Sequence, residues 1–483
     1  MKNLKTSIIK YAIALGVVAT GFSVQSCSDE LNINVDPNNP QTVPLRTLMT
    51  GSQVNLGYAL GGEGTRMPAS IMQYYAGHRG QPYSYAIYNI TSASTDGTWQ
   101  YLYDAAMDFN EIEKRGTASG DLVYVGVAQI MKAYTFSVIT DLFGDIPYTD
   151  AMKGRENITP TYDTQEAIYT DLIKVIDKGI ANIKTDEGLF KPSESDDIIF
   201  AGNVLKWERF ANSLKLRLYN HLSKRQPNAA SDFLAQNPLL IETSANDAKV
   251  GFGDTNASAN PIYQFDKISG RADFAVATTI VDKMKALDDP RVSVYFEPIK
   301  NNGAGLAGQV IGNEPGGDTD DAGQNLYSRV GSAYASINSP VVLMSAAEVN
   351  FIKAEVYLAQ GNSAAAKTAY ENAIAQDFAA LGLTGSYSSY VSEPSVAFDG
   401  TLQRVMEQKW ITMFQAPFES WVDWRRTGYP VLQLPKVVRT DDFVPRRLPY
   451  PQIEINVNGT NLAAGPGVPL PFKSMATKMW WDQ

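Results

Sequence analysis

The chain has 483 residues, of which 44% are hydrophobic and 19% are charged, and its formal net charge is −10 at pH 7. This composition allows a large buried core and excludes both a disordered chain and a bundle of membrane spans. The negative charge disfavours nucleic acid as a partner, because phosphate binding requires a basic surface. Cys27 is the single cysteine, which leaves no thiols for disulfides or for a zinc site.

The first residues have the pattern of an export signal. Three lysines precede a short apolar stretch at 13–22 that is too brief to span a bilayer. Ser-Val-Gln-Ser then leads into Cys27, which resembles a bacterial lipobox. We expect residues 1–26 to be removed as a signal peptide and Cys27 to carry several acyl chains, each buried CH₂ contributing about 0.8 kcal/mol to membrane binding. The mature charge is then 38 minus 51, or about −13.

Behind the lipid, residues 27–44 are predicted to form an extended tether, because 36–40 read Asp-Pro-Asn-Asn-Pro and favour turns over helix. Helical periodicity follows. Apolar residues recur at steps of three and four in two segments: Ile168, Leu172, Ile176 and Ile180, then Val204, Trp207, Ala211, Leu214, Leu218 and Leu222. These stripes predict helices that need neighbours to cover them.

The segment 347–376 has the pattern of a tetratricopeptide-type helix pair. Small and large apolar residues occupy the expected offsets around a turn at Gly361 and Asn362: Ala354, Tyr357, Ala366, Tyr370 and Ala373. Segments 124–140 and 165–183 can form a second, degenerate pair. We therefore predict an all-α scaffold of tetratricopeptide-like helix pairs with long irregular loops, forming one domain over 45–483.

Long stretches rich in Gly, Asn, Ser and aromatic residues separate these helices. They cover 77–97, 251–271, 301–339 and everything after Asp423. Connections of this length inside a compact protein are usually functional. Ligand binding is therefore expected in these loops.

The C-terminal third carries a recognisable series of motifs. They are Glu407-Gln408-Lys409-Trp410-Ile411, Phe418-Glu419-Ser420-Trp421-Val422-Asp423-Trp424-Arg425-Arg426-Thr427-Gly428-Tyr429-Pro430 and Arg446-Arg447-Leu448-Pro449-Tyr450-Pro451. Together they resemble the C-terminal signature of the SusD/RagB family of outer-membrane lipoproteins. Earlier segments extend the resemblance over nearly the whole mature chain: 36–40, 141–148, 289–291 and 346–351.

This resemblance implies a lipid-anchored protein on the outer membrane, facing the cell exterior. Such a protein captures oligosaccharides, or in some relatives peptides, and closes over a TonB-dependent, SusC-like transporter as a lid. The family fold is one α-helical domain whose loops hold the ligand, and no cofactor is implied. In the cluster from Glu419 to Arg426 we expect a structural role, with the carboxylates pairing to Arg425 or Arg426 and the indoles buried.

Aromatic and polar residues in the long loops are the candidate ligand contacts. A planar ring can cover the apolar face of a sugar while amide, carboxylate and guanidinium groups satisfy its hydroxyls. The candidates are His78, Arg79, Tyr83, Tyr85, Tyr88, Tyr263, Asn325, Tyr327 and Tyr334. The alternative is that these tyrosines only pin the loops to the helices, as expected for Trp99 at the start of a helix.

Other chemistry is disfavoured. With two histidines, His78 and His221, a hydrolytic triad would have to use His78, and no G-x-S-x-G motif accompanies it. Asp318 and Asp320 are candidate calcium ligands, but the twelfth position of an EF-type loop is Arg329, so a solvated acidic loop is favoured. We predict a binding protein without enzymatic activity. A peptide-binding protein and a surface-anchored hydrolase are the alternatives.

Overall fold

The computed structural model describes residues 43–185, 188, 190–270, 273–300, 305–317 and 326–483. Helices dominate this part of the chain. Its first half contains α1 (Leu45–Gly61), α2 (Glu63–Ile71), α3 (Gly80–Ala86), α4 (Asp96–Ser119), α5 (Leu122–Phe143), α6 (Gln165–Ile183), α7 (Val204–His221) and α8 (Ala229–Leu234). The predicted stripes at 168–180 and 204–222 therefore lie on helices, as expected.

The second half has shorter helices between irregular segments. They are α9 (Pro261–Tyr263), α10 (Thr278–Ala286), α11 (Val292–Tyr295), α12 (Ser332–Ala335), α13 (Ala346–Ala359), α14 (Ser363–Ala380), α15 (Tyr387–Ser392), α16 (Leu402–Thr412), α17 (Pro417–Thr427), α18 (Gln452–Val457) and α19 (Gly459–Ala464). The strands of the described residues are β1 (Ala248–Val250), β2 (Phe296–Glu297), β3 (Arg329–Val330) and β4 (Val341–Met344). They form two antiparallel pairs, β1 with β4 and β2 with β3. The prediction of an all-α fold is confirmed.

The helices α4, α5, α6 and α7 pack in sequence order, each against the next. Gly126 on α5 lies so close to α6 that an added Cβ would approach the carbonyl oxygen of Gly179 to 2.7 Å. The absence of a side chain thus allows the two backbones to approach. Among the described helices α5 is the one long and apolar enough to cross a membrane, but 89% of its apolar window is buried inside the protein, as in a core helix.

The predicted tetratricopeptide-type pair is present as α13 and α14, which pack against each other. Side chains cap both helices: Ser345 accepts a backbone N–H at the start of α13, and Asn362 does the same for α14. Ala354, Ala366 and Ala373 are fully buried. Their small side chains let the helix axes approach, as the sequence pattern predicted.

The cluster on α17 is buried and ionic. Asp423 pairs with Arg426 at 2.7 Å, which was expected. Glu419 instead lies 2.7 Å from Nε2 of His221, and Arg425 stacks on a buried indole at 4.2 Å. Partners from α7, two hundred residues away in the chain, thus complete the cluster.

All four segments predicted as irregular contain helices. Residues 77–97 include α3, and residues 251–271 include α9 followed by a π-helical turn at Gln264–Ile268. Residues 301–339 include α12, and the segment after Asp423 includes the end of α17 with α18 and α19. The prediction of structureless loops is wrong at these places. Residues 45–483 form one compact unit.

Candidate functional site

Hydrogen bonds join three separate segments of the chain near His78. The backbone N–H of Ala76 donates to the carbonyl oxygen of Ala275 at 2.9 Å, and that of His78 donates to Asp273 at 3.3 Å. The side chain of Asn313 donates to the carbonyl oxygen of Ala76 at 3.0 Å. These backbone contacts hold loops from 76–78, 273–275 and 313 in fixed positions relative to one another.

The β2–β3 ladder places two charged residues side by side. In the antiparallel pairing Glu297 lies opposite Arg329, and Phe296 lies opposite Val330. Because successive strand residues point to opposite faces, the charged pair lies on one face and the apolar pair on the other. Gly331 closes the ladder by donating to the carbonyl oxygen of Tyr295 at 2.7 Å.

A network of five charged side chains extends from the charged face. Arg329 donates to Asp266 at 2.8 Å, and Lys267 lies 3.0 Å from the same carboxylate. Lys267 also pairs with Glu297, which in turn lies 3.1 Å from the ammonium of Lys300. Three cations therefore share two carboxylates. Lys300 is 78% exposed and can turn its ammonium toward a ligand.

The protonation state of Glu297 follows from this network. Partial burial alone would raise its pKa, but hydrogen bonds and charge from Lys267 and Lys300 outweigh burial and lower the pKa below its usual value. Glu297 is therefore a carboxylate that accepts hydrogen bonds. A general acid requires the opposite shift.

Two adjoining cavities lie on either side of the ladder, and both are lined by Lys267, Glu297 and Pro298. The polar cavity has a volume of about 280 Å³, and its principal lining residues are Asp266, Lys267, Glu297, Lys300, Tyr327 and Arg329. The apolar cavity has a volume of about 420 Å³, and its principal lining residues are Tyr263, Phe296, Pro298, Val330, Ala335 and Ile337. Sizes of this order suit small ligands.

Tyr327 supplies an aromatic surface to the polar cavity. Its side chain is half-buried, and its ring centroid lies 5.7 Å from that of His78, whose imidazole is buried. Tyr263 occupies an equivalent half-buried position at the apolar cavity. The structure thus brings together Tyr327 and His78, and places Tyr263 at the neighbouring cavity.

The remaining candidates lie elsewhere. Tyr85 and Tyr88 are 1% and 0% exposed and belong to the core, so their rings offer no face to a ligand in this structure. Tyr334 is also buried, beside a different cavity of about 240 Å³. Arg79 is exposed and Tyr83 half-buried at α3, and neither is among the lining residues of the two cavities. We leave these five out of the candidate site.

Several sequence-based candidates lie outside the described residues. They are Cys27, Asp318, Asp320 and Asn325. Among the residues that are described, no group of three or more His, Cys, Asp or Glu side chains is arranged to hold a metal ion. The lipid and calcium predictions therefore stay predictions.

Sequence reasoning did not select the charged residues of the polar cavity: Asp266, Lys267, Glu297, Lys300 and Arg329. It selected aromatic rings in the loops and a few polar residues beside them, such as Arg79 and Asn325. The available signal was two pairs of opposite charges, Asp266 with Lys267 and Glu297 with Lys300. Both pairs lie in segments without helical periodicity. They form a network only because the β2–β3 pairing brings their ion pairs together.

The second histidine also has a defined environment. Nδ1 of His221 lies 2.9 Å from the hydroxyl of Tyr169 and 3.4 Å from Asp141, and Nε2 lies 2.7 Å from Glu419. No serine is among these partners. His221 is thus part of the buried ionic cluster.

Comparison with solved structures gives close matches of fold. A chitin-binding SusD homologue from Flavobacterium johnsoniae has a TM-score of 0.78 and 25% identity, over 91% of this chain and 98% of that chain. A SusD homologue from Bacteroides uniformis has a TM-score of 0.74 and 26% identity, over 91% and 99%. One from Bacteroides fragilis has a TM-score of 0.76 and 23% identity, over 92% and 100%.

None of the curated protein sequences compared with the chain matches it. A family model does match, over residues 37–451, and its description is SusD-like, starch-binding and associating with the outer membrane. The matched range covers the scaffold, both cavities and the C-terminal motifs. The chain therefore belongs to the SusD-like family.

Proposed function

We propose that this protein is a surface lipoprotein that binds oligosaccharides and delivers them to a TonB-dependent, SusC-like transporter in the outer membrane. The observation that carries the proposal is the polar cavity, where the half-buried ring of Tyr327 adjoins a network of charged hydrogen-bonding groups. An aromatic ring beside polar groups is the arrangement that a sugar requires, since its ring has an apolar face and a hydroxylated edge.

In this proposal the sugar lies with its CH face on Tyr327. Its hydroxyls accept hydrogen bonds from Lys300 and Arg329 and donate to the carboxylate of Glu297. Each of these charged groups already has a partner of opposite charge, and the cation in excess is the exposed Lys300, so a neutral ligand leaves no buried charge without a partner. Binding then requires side-chain adjustments at the rim and no movement of the ladder.

The membrane and transporter parts of the proposal are supported by the family. Its description links starch binding to the outer membrane, and the related protein from Flavobacterium johnsoniae binds chitin. A lipid on Cys27 would hold the protein at the membrane, and a transporter would receive the bound glycan. The lowered pKa of Glu297 makes this carboxylate unsuited to the role of general acid, because an ionised carboxylate cannot protonate a leaving oxygen.

The test is a binding screen by calorimetry with the soluble form from Ser28 onward, against oligosaccharides and peptides. Tyr327→Ala is compared with Tyr101→Ala, a tyrosine that is 55% exposed and lines neither cavity. We expect saturable oligosaccharide binding that Tyr327→Ala weakens at least about tenfold, equivalent to about 1.4 kcal/mol. Tyr101→Ala should bind like the wild type.

Product analysis by chromatography accompanies each titration. Cleavage of any oligosaccharide would contradict the proposal of a binding protein without turnover. Binding of peptides and of no saccharide would assign the cavity to peptides instead. Equal losses in both tyrosine variants would remove the polar cavity from the proposal.

A further inference from the structure

The two cavities differ in chemistry because they adjoin opposite faces of one ladder. Arg329 lines the polar cavity, Phe296 and Val330 line the apolar cavity, and Glu297 lines both. The cavities meet at Pro298 and at the ion pair that Glu297 makes with Lys267. A ligand with two chemically different neighbouring parts would therefore be able to occupy both.

The walls of the apolar cavity suit a small hydrocarbon group. Tyr263 and Ile337 are half-buried and Pro298 is exposed, so each presents apolar surface to the cavity. Lys267 and Glu297, at the boundary with the polar cavity, are the charged residues among its described lining. A methyl group entering here would leave water for an apolar surface without displacing a charge.

Three serines also line the apolar cavity, Ser293, Ser332 and Ser336, and the hydroxyls of Ser293 and Ser336 already donate their hydrogens. Oγ of Ser336 donates to the carbonyl oxygen of Ser332 at 2.8 Å, and Oγ of Ser293 donates to Pro290 at 2.8 Å. A hydroxyl has one hydrogen and two lone pairs, so each of these oxygens has used its donor and keeps acceptor capacity. Such acceptors can take a hydrogen bond from an amide N–H or from a sugar hydroxyl, so what distinguishes an acylamido group is the apolar wall that its methyl group meets.

We propose that the apolar cavity is a second subsite that binds the acylamido group of an N-acylated amino sugar. This inference rests on the proposed function, since the adjoining sugar unit would lie on Tyr327 in the polar cavity. The amide N–H donates to the hydroxyl oxygen of Ser336, and the methyl group packs against Tyr263 and Ile337. The volume of about 420 Å³ accommodates the whole sugar unit that carries the group.

The experiment compares two tetrasaccharides with the same β-1,4 linkage, one built of N-acetylglucosamine and one of glucose. The wild type should bind the N-acetylated tetrasaccharide at least about tenfold more tightly. Ile337→Ser makes the wall polar and should reduce that preference at least about threefold, whereas Ile337→Val keeps the wall apolar and should retain it. Ser336→Ala removes the acceptor and should also reduce the preference.

The readout is the ratio of the two affinities in each variant, measured with thermal melting to confirm that the variant is folded. If both tetrasaccharides bind equally and Tyr327→Ala weakens both, the acylamido subsite is wrong while the proposed function stands. If Ile337→Ser and Ser336→Ala keep the wild-type ratio, the preference arises outside this cavity and the assignment is overturned. If neither the tetrasaccharides nor the wider panel binds, the proposed function itself fails.

Discussion

The buried His221 makes a pH-dependent contribution to stability that can be calculated and measured. Burial alone would lower the pKa of its imidazole, but the carboxylates of Glu419 and Asp141 outweigh burial and raise the pKa from 6.5 to about 9. The difference of about 2.5 pKa units, at about 1.36 kcal/mol each, corresponds to about 3 kcal/mol.

The sign follows from proton binding. Below pH 6.5 the folded and unfolded states both hold the proton on His221, and the contribution is fully present. Between pH 6.5 and about 9 the folded state keeps the proton that the unfolded state has lost, so the free energy of unfolding decreases as pH rises. Above about pH 9 the contribution of about 3 kcal/mol is gone.

The assay is guanidinium unfolding of the soluble form at pH 6 and pH 10, with the wild type and His221→Gln compared at each pH. We expect the advantage of the wild type to shrink by about 3 kcal/mol between the two conditions. The comparison cancels other groups that titrate in both proteins. Because the chain has two histidines, NMR of the imidazole Cε1–H signals with His78→Gln for assignment gives the pKa directly.

An unchanged wild-type advantage at both pH values would refute the reasoning. So would an imidazole signal of His221 that titrates near pH 6.5. Either result would mean that the surrounding carboxylates do not stabilise the imidazolium.

Two further substitutions test the packing of the scaffold by the same unfolding assay. Arg217 contacts Glu348 at 2.6 Å in the core, so Arg217→Leu should lower the free energy of unfolding by about 3–5 kcal/mol. The control is Lys367→Ala, at an exposed ion pair, which should lower it by less than about 1 kcal/mol. Gly126→Val adds side-chain atoms where even a Cβ would lie 2.7 Å from a carbonyl oxygen, and it should lower the free energy of unfolding by about 1–3 kcal/mol. The control is Gly51→Ala, whose added Cβ has no neighbour within 4 Å and should not lower the free energy of unfolding. Equal effects in a test variant and its control would contradict the packing described.

Long helices were predictable because their signal is local. The stripe from Ile168 to Ile180 lies on Gln165–Ile183, and the pair at 347–376 lies on α13 and α14. Each helix buries one stripe against a neighbour, so the 3.6-residue period must appear in its own sequence. That relation holds whatever the neighbour is.

Short helices were missed because they are too short to show a periodic signal of their own. α3 has seven residues and α9 has three, and helices of this length are unstable in isolation. Tertiary contacts stabilise them: residues just before α3 form hydrogen bonds with 273–275 and with Asn313. Tyr85 was accordingly assigned to a loop site when it belongs to the core.

The sequence by itself determined the helical class, the tetratricopeptide-type pair and the concentration of aromatic and polar residues in the long segments. Only the tertiary structure decided which of those residues meet. Asp266, Glu297 and Arg329 are separated by 31 or more positions and become neighbours through a two-residue ladder and a π-helical turn. Pairing of such short elements depends on the surrounding packing and leaves no periodic signal in the chain.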